Sequence, residues 1–500
     1  MKEENAKVII IGSGFAGLGM AINLKKAGVD DFILLERAED VGGAWRDNHY
    51  PGCACDVESL LYSFSFEPKR DWTRKFAESG EIYDYLRHCA RKYGIYPHIR
   101  FSRSMASAEF DEHKARWNLR DDNDNRYSCQ FLVSALGPLS NPVIPDFKGL
   151  ESFGGPAFHS AHWDHTVDLT NKHVAIVGSG ASTIQFLPKV AEQAASVTLF
   201  QRTAPWVMPK LDRPFTEREH RLFRRFPLYQ KLWRSFIYWR AELFLNGLLN
   251  TDNWLHKRAE KLIGKYLAHQ IPDAQLREKV RPKFALGCKR TLLSNDYYPA
   301  LMRDNVAVVD RGVQSVTATG VVDADGVEHS ADAILFGTGF RVDDPLSGIS
   351  VRGLDGRNLN DEWRSNAFSS YYGTTVSGYP NLLVLAGPNT GIGHTSLVYM
   401  LEQQIGYAMK YIRLADSVEN GYLNVKPDVQ QLHQENQQAS FKGTAWASGC
   451  DSWYLTQGGK NFTIWPTFTF RYARALKQLR RQHYVLHSAS GITGQEALAQ

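Results

Sequence analysis

The sequence predicts an α/β fold built on two parallel, doubly wound sheets, and the first observation behind this is a pair of glycine-rich turns. Gly12-Ser13-Gly14-Phe15-Ala16-Gly17 and Gly178-Ser179-Gly180-Ala181-Ser182-Thr183 each follow a short apolar run, Val8 to Ile11 and Val174 to Val177, and each opens a helical pattern. Glycines there let the backbone approach a diphosphate at the positive end of a helix, so two such turns read as two dinucleotide sites. The second observation is size. At 500 residues the chain has room for about three domains of roughly 150 residues.

The strands that follow the turns assign the ligands. The run Phe32-Ile33-Leu34-Leu35 ends in Glu36 and Arg37. A carboxylate at that place accepts hydrogen bonds from a ribose diol and repels a 2′-phosphate, which suits FAD or NAD. After the second turn, Val197 to Phe200 leads into Gln201, Arg202 and Thr203. Arginine's forked donors suit a phosphate, so NADPH is favoured at the second site. Thr183 stands where a third small residue is usual, leaving less room between helix and strand.

The first unit closes on the apolar run Phe131 to Leu136 and Gly137-Pro138, and a proline-punctuated linker leads to the second. Between 210 and 283, Leu222, Phe226, Tyr229, Trp233, Phe236, Arg240 and Phe244 recur every three or four residues, predicting helices broken at Pro227. Their mixed aromatic and basic character fits a membrane-surface or substrate-access role, but a helical insert packed on the nucleotide domain with solvated charges is the preferred reading. Two late strand-to-glycine elements follow, Ala333 to Gly339 and Asn381 to Gly391, the latter leading into a helical run from Ser396 to Leu414. The expected organisation is therefore nested. FAD-binding parts lie at 1–139 and 376–500, the latter including a substrate-pocket region; NADP-binding parts lie at 140–209 and 284–375; a helical insert occupies 210–283. The fold class is α/β with two Rossmann-like dinucleotide-binding domains and that insert.

Composition excludes several classes. The formal net charge of +5 comes with no basic run or tail, so no nucleic-acid partner is expected. The first strand begins within eight residues of Met1, and no apolar stretch reaches the ~20 residues of a membrane span, so a cytoplasmic protein is expected. Cys53 and Cys55 form a C-x-C pair, while Cys89, Cys129, Cys288 and Cys450 are scattered, which fits neither a disulfide framework nor a metal site. No CxxxxC pair follows the first turn, arguing against a disulfide reductase.

The segment Phe153-Gly154-Gly155-Pro156-Ala157-Phe158-His159-Ser160-Ala161-His162-Trp163-Asp164 resembles the F-x-G-x-x-x-H-x-x-x-W-[PD] fingerprint of type I Baeyer-Villiger monooxygenases. Gly42-Gly43-Ala44-Trp45 is similar to that family's GG-T-W segment, Tyr50 through Asp56 to Ser59 to its active-site acid segment, and Gly287-Cys288-Lys289-Arg290 to its Lys-Arg motif. Departures are Thr183, Ala44 for Thr, and Phe336 for the usual Ala. The resemblance implies that FAD, NADPH and O₂ oxidise a hydrophobic ketone to an ester or lactone through a C4a-peroxyflavin, with sulfide oxidation as a side activity. It implies that Arg290 stabilises the peroxide as a permanently charged donor, that Asp56 holds Arg290 beside the flavin, and that Lys289, Arg202 and Thr203 surround the 2′-phosphate. It places Gly12, Gly14, Phe15, Ala16, Gly17, Glu36, Arg37, Gly43, Trp45, Asp56 and Tyr62 at FAD. Gly178, Ser179, Gly180, Ala181, Ser182, Arg202, Thr203 and Lys289 fall to NADP, and Arg290 counts among the cofactor-binding residues as well as the catalytic ones.

His159 reads as coupling domain motion to cofactor state, or as a satisfied linker histidine, and not as a catalyst; Trp163 reads as packing. Segments Cys450 to Tyr454 and Asn461 to Pro466 read as pocket wall or aromatic core. The alternatives are an N-hydroxylating or S-oxidising flavin monooxygenase and a nucleotide-sensing protein that turns over no oxygen.

Overall fold

The computed structural model describes residues 3–488 except 249, 345, 347, 366 and 367, so the tip of the 376–500 segment lies outside the described residues. Strands covered on both faces read as unbroken apolar runs. Val8 to Ile11 end β1 (Glu3–Ile11) with all four side chains buried. β1 lies parallel to both β2 (Phe32–Leu35) and β6 (Arg126–Ser134), with Ile10 opposite Leu34 and Val133. An antiparallel meander of β4 (Met105–Asp111) and β5 (Arg116–Asp121) leads into β6, and β3 (Ile99–Arg100) extends the sheet beyond β2.

Two late strands complete this sheet: Leu382–Val384 beside β6 and Ser350–Arg352 beside β4. The chain is thus back in the first sheet by Ser350, earlier than the 376 expected. The outer edge of β4 would otherwise present unpaired backbone groups, and the short strand covers it.

Helix α1 (Phe15–Lys26) has Leu18, Met20, Ala21, Ile22 and Leu24 all at 0% exposure. Apolar on all sides, it belongs in an interior, and it lies between the first sheet and the Leu397–Ala415 helix.

The second sheet is wholly parallel, in the order Val306–Val309, β9 (Ser196–Phe200), β8 (His173–Val177), Ala333–Phe336, β7 (Ala157–His159). The Thr183–Ala191 helix covers one face, through Ile184, Phe186, Leu187 and Val190, and a three-stranded meander over residues 313–330 covers the other.

The two turns are alike in backbone and different in packing. Gly12 and Gly178 both take a left-handed conformation, with φ of +98° and +100°. In the first unit a Cβ on Gly17 would stand 1.9 Å from the Gly12 carbonyl oxygen, so helix and strand touch backbone to backbone. In the second, Thr183 occupies that third position, and the room it needs comes from the neighbouring strand. Its Oγ1 lies 1.9 Å from where a Cβ on Gly337 would be, so Gly337 is the residue that admits Thr183.

The insert is helical as expected, with Glu217–Arg225, Pro227–Leu248, Trp254–Gln270 and Ala274–Lys279. Pro227 separates the first two helices and is the first residue of the second, a place where its missing N–H costs nothing. Thr216 and Glu219 form a capping box at the start of the first. Among the described residues no helix is long and apolar enough to cross a membrane.

Candidate active site

Both glycine turns follow the carboxyl end of a strand flanked by parallel neighbours, β1 in the mixed first sheet and β8 in the parallel second one, where each opens a helix. α1 and the Thr183–Ala191 helix both start without a side-chain cap and without an acid in the first turn, leaving their N–H groups and positive dipole ends for an anion. A Cβ on Gly14 would meet nothing nearer than Gly43 Cα at 3.8 Å, and one on Gly180 nothing nearer than the Gly337 carbonyl oxygen at 3.7 Å. The backbone at each turn is thus left uncrowded by protein, which fits a diphosphate lying against it. Gly43 forms the far side of the first opening, its own Cβ position only 3.1 Å from Gly14 Cα.

Glu36 follows β2 and is only 4% exposed. Its Oε2 accepts from Ser13 N at 2.9 Å and Ser13 Oγ at 2.6 Å, and its Oε1 accepts from Ala38 N at 3.0 Å and Arg46 Nη1 at 3.2 Å. All four acceptor positions of the carboxylate are engaged, so a ribose diol reaching Glu36 has to share or displace the Ser13 hydroxyl or the Arg46 guanidinium. Arg46 carries no motif and is missed by sequence reasoning. Arg37 is exposed at the same strand end and donates to the Ser140 carbonyl at 2.9 Å. Beyond Gly43, Trp45 Nε1 donates to Tyr62 Oη at 3.1 Å, and the Phe15 ring meets Tyr62 edge-on at 5.2 Å. Burial raises the Tyr62 hydroxyl well beyond the working range, so it stays a neutral donor.

At the second site Ser179 Oγ donates to the Thr203 carbonyl at 3.0 Å, tying the glycine turn to the end of β9. Arg202 and Thr203 are exposed there, while Gln201 is buried and donates to the Lys279 carbonyl, a structural role. Lys289 is held below the usual lysine value by burial and by the Arg202 charge, with Asp451 opposing. Two cations near enough to feel each other's charge suit an anion carrying more than one charge.

Asp56 and Arg290 meet although 234 residues separate them in sequence. Arg290 donates to the same carboxylate oxygen from Nη2 at 2.5 Å and from Nε at 3.1 Å, and the two side chains remain 36% and 27% exposed. Burial pushes the Asp56 carboxyl up, but the charge and hydrogen bonds of Arg290 outweigh it, and Lys210 adds to them, so the carboxyl stays below the usual carboxylate range. The Asp56 charge raises Arg290 further above its already high value. Tyr454 lies close enough to feel both charges, its hydroxyl pushed up to about 12 mainly by burial. Lys210 was not singled out in the sequence; it follows Pro209 in a loop with no periodic or motif signal.

A disulfide joins Cys288 and Cys450, which corrects the expectation that the scattered cysteines form none. Across 162 residues, spacing carries no pairing information. The bond ties the residue just before Lys289 and Arg290 to the segment that carries Asp451 and Tyr454. Cys53, Cys55, Cys89 and Cys129 are free, buried thiols; burial raises Cys53 to about 11 and Cys89 to about 12.

In the fingerprint segment, a Cβ on Gly155 would stand 2.1 Å from the Asp332 carbonyl oxygen, and Trp163 packs against Phe158 and Phe186. His159 ends β7 opposite Phe336 and is 1% exposed. Its Nδ1 accepts from Ala161 N at 3.1 Å, and burial, with His162 adding, lowers its pKa to about 4. It is neutral at working pH, with its proton on Nε2.

Residues 5–357 match the family model described as flavin-binding monooxygenase-like. The chain is 46% identical over 485 residues to a Baeyer-Villiger monooxygenase of Pseudomonas aeruginosa, covering 97% of this chain and 92% of that protein. It is 41% identical over 497 residues to a Baeyer-Villiger monooxygenase of Streptomyces coelicolor, covering 99% and 95%. Among solved structures it is similar to OTEMO in complex with FAD and NADP, with a TM-score of 0.88 and 28% identity over 97% of this chain and 100% of that one. It is also similar to cyclohexanone monooxygenase from Rhodococcus sp. Phi1 bound to NADP⁺, with a TM-score of 0.87 and 26% identity over 97% and 100%.

Proposed function

The chain belongs to the flavin-binding monooxygenase-like family, and on that premise we propose that it is a Baeyer-Villiger monooxygenase that uses FAD, NADPH and O₂ to convert a ketone into an ester or lactone and water. The observation that carries this reading is the Asp56–Arg290 pair, a guanidinium fixed by a carboxylate and left partly exposed, with Tyr62 near enough to feel both charges. FAD, once reduced by NADPH, supplies the oxygen-activating chemistry.

The chain's own residues supply position and charge. FAD is assigned to the first turn, with Gly12, Gly14 and Gly17 along the diphosphate, Glu36 at the ribose, and Phe15, Gly43, Trp45 and Tyr62 along the wall. NADP is assigned to the second, with Gly178 to Ser182 at the diphosphate and Arg202, Thr203 and Lys289 at the 2′-phosphate. The FAD part is discontinuous, from the two ends of the chain, and the NADP part lies between them, interrupted by the insert. Arg290 offers donors to oxygen atoms as negative charge develops on them. It cannot give up its proton at working pH, so it stabilises an oxyanion without quenching it. Asp56 fixes the guanidinium plane through two bonds to one oxygen, leaving Nη1 free of that carboxylate. The substrate is a hydrophobic ketone, and the enzyme's expected compartment is the cytoplasm.

The test is NADPH consumption and product analysis with cyclic, linear and aryl ketones, and with an amine as the competing substrate. An ester or lactone from one ketone class, with one NADPH consumed per product, supports the reading. An N-oxide as the sole product would replace it with the N-oxidising alternative.

A further inference from the structure

The long insert helix, Pro227–Leu248, carries two apolar faces, and only one is used. Its inner side grips the segment that follows Asp56, where Arg234 Nη1 donates to the Leu60 carbonyl at 2.7 Å and Arg240 pairs with Glu58, and it reaches the Thr469–Leu476 helix, where Tyr238 Oη meets Thr469 Oγ1 at 3.0 Å. Leu228, Leu232, Phe236, Trp239 and Leu243 recur at spacings of four, four, three and four, which stacks them on the opposite side of a 3.6-residue helix. They are between 49 and 71% exposed. The Trp254–Gln270 helix adds Trp254 and Leu262, at 64 and 57%. Scattered exposed leucines need no explanation; a continuous stripe of large aliphatic and indole side chains does.

Charge says what covers it. Between residues 217 and 265 stand eleven Lys and Arg against five Asp and Glu, while the whole chain has a formal net charge of +5. Arg234 and Arg240 face inward and pair with Glu402 and Glu58, which lie outside this stretch; the other nine cations still outnumber its five acids. Arg258, Lys261 and Lys265 fall on the same side of their helix as Trp254 and Leu262, and among the described residues none of the three comes within 4 Å of a carboxylate. A second copy docked by symmetry would bring this positive field against itself. An anionic bilayer accepts both features, leucine and indole at the acyl boundary and lysine and arginine at the phosphates.

We propose that the Pro227–Leu248 and Trp254–Gln270 helices form a docking surface for an anionic membrane, with the helix axes lying in the plane of the bilayer. Docking there sets the Glu58–Ser63 segment, and Asp56 ahead of it, one helix thickness from the lipid.

The test is co-sedimentation of the full-length holoprotein with phosphatidylglycerol/phosphatidylcholine vesicles and with pure phosphatidylcholine vesicles. Binding to the first is expected, weakened severalfold by 0.5 M salt and weaker still on the second. Leu232→Ser/Phe236→Ser is expected to reduce vesicle binding at least tenfold. Lys261→Ser/Lys265→Ser changes only exposed side chains and leaves the fold intact; at about fivefold per charge it is expected to cost on the order of 20-fold on the anionic vesicles. Flavin content and sedimentation velocity are read for every variant. No binding of the parent protein to phosphatidylglycerol at low salt overturns the proposal, as does binding that neither pair of substitutions alters. A concentration-dependent dimer abolished by Leu232→Ser/Phe236→Ser, without vesicle binding, assigns the stripe to a second copy instead.

Discussion

Arg290 donates twice to one oxygen of Asp56, Oδ2, while Oδ1 takes part in neither bond. Nε and Nη2 lie along one edge of the planar guanidinium, so both bonds to Asp56 use that edge. Nη1, on the opposite side of the plane's fork, is left free of the acid.

Arg290→Ala is therefore expected to retain flavin and to go on oxidising NADPH, because hydride delivery does not draw on Nη1. Ester formation should fall by about 10²- to 10³-fold, with hydrogen peroxide appearing in its place. Asp56→Ala removes only the orienting bond, and a milder loss with partial uncoupling is expected. Comparing ester yield with peroxide per NADPH consumed decides this; normal ester yield in Arg290→Ala would remove Arg290 from the reaction.

Arg202 lies near enough to Lys289 for its charge to disfavour the Lys289 ammonium, and among the described residues neither forms an ion pair with a carboxylate. Removing Arg202 should relieve that repulsion and at the same time delete a phosphate ligand. Arg202→Ala is expected to raise KM for NADPH by about 10- to 100-fold, from the loss of a charge-assisted hydrogen bond, and to leave NADH turnover nearly unchanged. Equal losses with both nucleotides would show that Arg202 holds no phosphate.

A Cβ added at Gly14 or Gly180 makes only ordinary van der Waals contact, with Gly43 Cα at 3.8 Å and the Gly337 carbonyl oxygen at 3.7 Å. Gly14→Val is therefore expected to fold and to purify colourless, while Gly180→Val keeps its flavin and loses reduction by NADPH. Unchanged thermal stability of the flavin-free forms, and absorbance at the flavin band, separate cofactor loss from misfolding. A colourless Gly180→Val protein would reverse the order of the two sites.

The parts of the site that were legible in the sequence are those written in local pattern. Gly12 to Gly17 and Gly178 to Ser182 sit where an apolar run gives way to helical spacing, and their geometry follows from that junction. Glu36 was legible as a strand-end acid, but not Arg46, which shares its carboxylate, because an arginine in a short loop has no periodicity. The Thr183 substitution looked unfavourable in isolation, and only the neighbouring strand shows why it fits: Gly337, 154 positions away in the numbering, has no side chain to oppose it. The same holds for Cys288 and Cys450 and for Lys210 beside Asp56. Each is a long-range contact, and a single chain's spacing does not encode which distant partner it meets.

The Cys288–Cys450 bond closes a loop of more than 160 residues, and cross-linking a loop that long removes up to about 5 kcal/mol of denatured-state entropy in the chain-entropy picture. Dithiothreitol is expected to lower the Tm of the parent protein and to leave that of Cys450→Ser unchanged. Reduction should also raise KM for NADPH, since it frees the segment carrying Asp451 from the backbone next to Lys289. A Tm insensitive to reductant, with two additional thiols titrated in the folded protein, would show that the bond contributes no stability.

Acid should destabilise the protein before its carboxylates begin to protonate. His159 is neutral and buried in the folded chain with a pKa of about 4, while in the unfolded chain it returns to about 6.5. Below 6.5 the unfolded state takes up the proton first, so the stabilisation is fully present above that pH and drains away as pH falls toward 4; the 2.5-unit gap corresponds to about 3 kcal/mol. His433, lowered to about 4 by burial, acts in the same direction through the same window. Asp56 contributes at lower pH, because a depressed carboxyl loses its stabilisation only as pH falls below the ordinary value of 3.8. Urea unfolding of the parent at pH 8 and pH 5 should therefore show a drop of a few kcal/mol. His159→Asn places an amide oxygen where Nδ1 accepts from Ala161 N and removes the titration, so its stability should vary with pH less steeply than the parent's over this range. An identical pH slope in His159→Asn would mean that His159 titrates in the folded protein as it does in the unfolded chain, and the lowered pKa assigned to it would have to be given up.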